Sequence, residues 1–136
     1  SYLLPPNWES MQGKSIAEIA TFQWKVCNQS IHQALITLPK NQYHVVNYQD
    51  FLDNTSAVVE RICEFAKIAY DDGLVKFCNE PLPYSRYTLS KPEKNKWLKN
   101  KDQFAPYLSS LDTIVEGLNT QCSPFTSYRI NNKIDE

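Results

Sequence analysis

Between residues 91 and 101 the sequence reads KPEKNKWLKNK, five lysines against one glutamate, in a chain whose formal charge is only −1. Thr88 and Ser90 stand just ahead of it. Ammonium and hydroxyl groups gathered this closely are the groups that hold a phosphate, with lysine acting as a compact point charge. Trp97, within the run, would pack and hold the turn. The same spacing also suits a solvated, charged helix start that binds nothing. Thr88, Ser90, Lys91 and Lys96 are thus the candidate phosphate ligands. A second candidate is Tyr48, at the end of QYHVVNY, residues 42–48. A tyrosine at the C-terminal end of a buried strand in an α/β sheet stands where ligands bind. Its ring can line a purine pocket, or it can equally be a core tyrosine with its hydroxyl satisfied.

Gly13-Lys14-Ser15 imitates the end of the phosphate-binding loop G-x-x-x-x-G-K-[ST]. The first glycine of that loop would fall at Trp8, where a side chain blocks close backbone approach to phosphate. Leu4-Pro5-Pro6-Asn7 reads as a turn, not as the apolar strand that must precede such a loop. GKS is therefore read as a loop entering a helix, with Ser15 as its N-cap. His32 and His44 read as packing or surface residues, and no Ser/His/Asp or Cys/His spacing stands out. The four cysteines form no C-x-x-C pair and, with two histidines, no zinc spacing. Cys27, Cys63 and Cys78 lie in apolar-periodic segments and read as buried free thiols. No catalytic residue and no metal ligand is assigned.

The elements that must position these groups follow from periodicity. From Ser15 to Leu38 apolar residues recur with helical spacing, and Pro39 ends the run. QYHVVNY is short and β-rich and predicts one largely buried strand. Asp53-Asn54-Thr55-Ser56 offers caps for a helix carrying Val58, Val59, Ile62 and Cys63, and Asp71–Asn79 predicts a short helix with acidic residues at its positive end. Residues 80–92 read as an ordered loop, and Gln103–Thr120 predicts one long amphipathic helix. The tail, residues 123–136, is polar and expected to fray.

With 136 residues, 42% hydrophobic and 21% charged, the chain is expected to be a soluble globular domain. The near-neutral charge provides no field for nucleic acid, and no apolar run approaches the length of a membrane span. The N-terminus lacks the basic and apolar regions of a signal peptide. A lone buried strand needs partners on both edges. The reading adopted is an α/β domain whose remaining strands lie upstream; the alternative is a non-catalytic helical interaction module.

Read in order, LPKNQYHVVNYQDFLDNTSAVVERICEFAKI, YTLSKPEKNKWLKN and the helix from Gln103 resemble the C-terminal half of the sulfotransferases that use 3′-phosphoadenosine 5′-phosphosulfate. The similarity covers about residues 20–120 and rests on the order and spacing of its pieces. It implies a P-loop-type three-layer α/β fold, with residues 1–136 as the C-terminal part of that single domain. It also implies transfer of a sulfuryl group from that co-substrate to a hydroxyl or amine, without a metal. Tyr48 matches the tyrosine near the adenine; Ser90 and Lys96, with Thr88 and Lys91 as weaker candidates, match the groups around the 3′-phosphate. Asp50 would brace the following helix, while Gln49 replaces the family's usual glutamate. The phosphosulfate loop, the upstream Arg and Ser and the catalytic His or Glu have no counterpart here, so this chain alone is expected to be inactive. The expected partners are a small-molecule, carbohydrate or lipid acceptor and the N-terminal half of the same domain. The expected compartment is the cytoplasm, with a Golgi lumen as the alternative.

Overall fold

The first helix, α1 (Ile16–Leu35), begins where the cap signals place it. The Ser15 hydroxyl accepts the Glu18 N–H at 3.2 Å, and the Lys14 ammonium sits 3.1 Å from the Glu18 carboxylate. Gly13 has φ +76°, a left-handed conformation that glycine adopts without the clash a Cβ would bring. Gly13-Lys14-Ser15 is thus spent on starting a helix. Toward its end the helix loosens into a turn, with the Thr37 and Leu38 N–H groups bonded to the Ala34 and Leu35 carbonyls.

The computed structural model describes residues 4–81, 84–91, 96–123 and 129–131. Of these, 68% are helical and none is in a strand. The chain divides into two compact units, one built from residues 1–39 and 97–136 and the other from residues 40–96.

In the first unit α1 packs against α5 (Lys101–Leu108) and α6 (Asp112–Cys122). Leu111, Ile114, Val115 and Leu118 form the buried cluster, with Leu108 and Ile130 against it. The single helix predicted over 103–120 is two helices joined by a 3-10 turn at Ser109–Leu111. Pro106 sits inside α5 and lacks the N–H that would bond to the carbonyl of Asp102. The Ser110 hydroxyl donates to the Tyr107 carbonyl at 2.6 Å. The tail is not wholly frayed. Asn119 holds Ile130 through both backbone groups, while residues 124–128 and 132–136 lie outside the described residues.

The second unit contains α2 (Tyr48–Asp53), α3 (Thr55–Ala66) and α4 (Asp72–Asn79), with α3 packed on both of the others. The predicted strand is not present among the described residues. Lys40–Gln42 is a 3-10 turn, residues 43–47 carry no ladder, and Tyr48 already belongs to a helix. The cause is Asn47, whose side chain accepts the Gln49 and Asp50 N–H groups at 2.8 and 3.2 Å and so caps α2 where the strand should end. α3 closes with Lys67 in the left-handed region (φ 57°). The Ile68 N–H bonds to the Cys63 carbonyl, and the Lys67 N–H to that of Glu64. This is the Schellman pattern, with lysine where glycine is usual. Asp71, expected as the first residue of this helix, stands just before it and caps α4 through the Leu74 N–H at 2.9 Å.

Candidate functional site

The loop that follows α4 is shaped by its own side chains. Thr88 N–H donates to the Ser85 carbonyl at 2.8 Å, Tyr87 N–H reaches the Ser85 hydroxyl at 3.3 Å, and the Arg86 guanidinium lies 4.6 Å from the Tyr87 ring centre. This tight turn leaves Thr88 half-buried and Ser90 exposed.

Lys96 then gathers the loop. Its ammonium donates to the Ser90 carbonyl at 3.4 Å, to the Lys91 carbonyl at 3.3 Å and to the Ser90 hydroxyl. An ammonium carries three hydrogens, so these three oxygens match its donor capacity. The side chains of Ser90 and Lys96, two of the sequence-derived candidates, are thereby brought together, and Lys91 contributes its backbone carbonyl. The oxygens that hold the ammonium are those an incoming phosphate would have to replace, and phosphate oxygens bond an ammonium more strongly than neutral carbonyls do. Pro92, Glu93, Lys94 and Asn95 lie outside the described residues.

Tyr48 belongs to the same compact unit and occupies the first position of α2, with 64% of its surface exposed. Its ring is open to stacking and is not a core residue. It stands at a helix start and not, as expected, at a strand end. Asp50 follows in the first turn of α2, and its carbonyl accepts the Asn54 N–H at 2.8 Å, which ties α2 to the start of α3.

Both histidines are engaged in packing. His44 stacks on Phe65 with ring centres 5.3 Å apart, and the His32 ring lies over Gly117 on α6. All four cysteines are free: Cys63 and Cys78 are buried, Cys27 and Cys122 half-buried. Burial pushes the Cys122 thiol above its ordinary pKa, which keeps it protonated and a poor nucleophile at neutral pH. No group of three His, Cys, Asp or Glu suited to a metal occurs among the described residues, and no helix among them is long and apolar enough to cross a membrane.

Two apolar hollows in the first unit escape sequence reasoning. One, of about 400 Å³, is lined by Thr21, Trp24, Trp97, Phe104, Val115 and Ile130, among others. The other, of about 330 Å³, lies between Leu4, Pro5, Trp8, Met11, Ile19 and Phe22. Trp97 was visible as a packing residue, but the walls of the first hollow come from segments far apart in the chain. No local pattern links them. Compared with protein-family models, with curated proteins and with solved structures, the chain matches none.

Proposed function

We propose that the chain is the C-terminal part of a sulfotransferase that uses 3′-phosphoadenosine 5′-phosphosulfate. The observation that carries this reading is the contact of the exposed Ser90 and Lys96 side chains beside the Lys91 backbone, within a sequence whose ordered segments resemble that family. In this proposal the present helices are one part of a three-layer P-loop α/β domain. The non-helical segment 43–47, which ends in extended backbone at Asn47 (φ −80°, ψ 128°), joins a sheet supplied by upstream sequence. Tyr48 stacks on the adenine. Lys96, released from the loop carbonyls, meets the 3′-phosphate with Ser90 and Lys91, and Thr88 supports the turn.

The reaction is an in-line displacement at sulfur. The acceptor oxygen or nitrogen bonds to sulfur while the bond between sulfur and the bisphosphate oxygen breaks, and a base takes the acceptor's proton. Cationic groups stabilise the charge that develops on the departing 3′,5′-bisphosphate. No residue of this chain is assigned as that base, so the chain alone is predicted to be inactive.

The test is thermal. Adenosine 3′,5′-bisphosphate at millimolar concentration should raise the Tm of the protein carrying its upstream sequence, and Lys96→Ala should remove at least about half of that shift, because ligand binding stabilises in proportion to the logarithm of affinity. No shift at all would end the proposal. A helical interaction module is the second reading, favoured by apolar residues left open on α1, where Ile16 is 85% and Ile31 51% exposed. It predicts a cooperative melt of these 136 residues that is indifferent to the nucleotide.

A further inference from the structure

The hollow of about 400 Å³ lies within the first unit, among α1, Trp97, α5 and α6. Its floor is closed, since Thr21, Leu111 and Val115 are 7%, 8% and 6% exposed. Its mouth opens at α1, where Ala20 is exposed and Trp24 keeps 36% of its surface in solvent. Trp97 and Phe104, both half-buried, add further aromatic wall. None of the described residues that line the hollow is charged. The Thr21 hydroxyl already donates to the Ala17 carbonyl at 2.8 Å, and Asn131 has an interaction of its own.

We propose that this hollow is a binding site for a small, uncharged aromatic molecule of one or two rings. Water is a poor occupant, because a confined water needs about two to four polar partners and this wall is almost wholly apolar. An apolar cavity of about 150 Å³ takes up benzene, so the larger space here admits two fused rings. Its volume also falls in the range of about 300–1,000 Å³ typical of small-molecule sites. A partner helix, about 10 Å across, is too thick to seat in it. Trp24, Trp97 and Phe104 offer ring faces and edges, which favour an aromatic guest beyond the area it buries. A charged guest would lose its hydration and find no counter-charge in the wall. The five nucleotide candidates lie in the other unit, so the inference stands apart from the sulfotransferase reading.

The experiment titrates the full chain with 2-naphthol, which is neutral at neutral pH, and follows the indole N–H signals by NMR. The Trp24 and Trp97 signals should shift saturably, with half of the change reached below about 1 mM. Trp8, which lines the other hollow, provides the control. The carboxylate 2-naphthoate should bind about tenfold more weakly or worse. Ala20→Phe, which fills the mouth from an exposed helical position, should weaken 2-naphthol binding about fivefold or more with circular dichroism unchanged, as should Trp24→Ala. Absence of a saturable shift at Trp24 and Trp97 overturns the site, and so does a shift of all three tryptophans at the same concentration. Equal binding of 2-naphthoate, or full affinity in both folded variants, overturns it as well. Should a variant fail to fold, the two titrations of the unaltered chain still decide.

Discussion

Gly117 shows how much one missing side chain can decide. A Cβ built there would lie 3.1 Å from both Cε1 and Nε2 of His32, closer than ordinary van der Waals contact, so the glycine is what lets α6 receive the imidazole of α1. Gly117→Ala should cost about 0.5–1 kcal/mol in urea unfolding, because overpacking outweighs the gain in helix propensity. With His32→Ala already in place, the same substitution should stabilise by about 0.5–1 kcal/mol, since only the propensity gain remains. Equal effects in both backgrounds would mean that His32 is not the reason for the glycine. Residue-scale chemistry was partly legible in the sequence. The lysine and serine types around 90–96 suggested an anion site, and the structure shows the Lys96 ammonium bonded to the Ser90 hydroxyl and to the Ser90 and Lys91 carbonyls. What residue types could not announce is that the Lys96 ammonium is already engaged by the loop, because carbonyl oxygens belong to every residue and carry no signature.

Elements were legible where a local cap and a helical period agreed. Ser15 and the apolar stripes of α1 and α3 are such cases. They failed where two local signals competed. His44-Val45-Val46 argued for a strand, yet Asn47 carried the stronger instruction and started α2 one residue later. Pro106 was present in the predicted 103–120 helix, yet α5 runs through it to Leu108 and the break comes after it, at the 3-10 turn Ser109–Leu111. The end of α3 provides a test at this scale. Lys67 holds a left-handed conformation that L-residues resist and glycine accepts. Lys67→Gly should raise stability by about 0.5–1 kcal/mol, read from the urea midpoint, because relief of that conformation exceeds the added entropy of the unfolded chain. A fall in stability would show that the lysine side chain contributes more than its backbone costs.

At the scale of the whole molecule, all five nucleotide candidates belong to residues 40–96, and both apolar hollows to the unit built from the two ends of the chain. The sequence predicted one domain and could not mark this division, since no Gly- or Pro-rich linker accompanies it. Val58, only 2% exposed, is the one fully buried large side chain among the described residues, and it lies in the second unit. Val58→Ala removes two methyl groups and leaves a cavity, a cost of about 2 kcal/mol. Hydrogen exchange should report that loss across α3 and α4 and leave the α6 amides unchanged; a uniform loss would mean the two units unfold together. The interleaved order has a consequence for synthesis. The Gln121 amide reaches the Leu35 carbonyl across 86 positions of sequence. At about 5–20 residues per second, α1 leaves the ribosome some 4–17 s before α6 can meet it. The segment between them can settle in that interval, while the apolar stripe of α1 waits in the reach of chaperones.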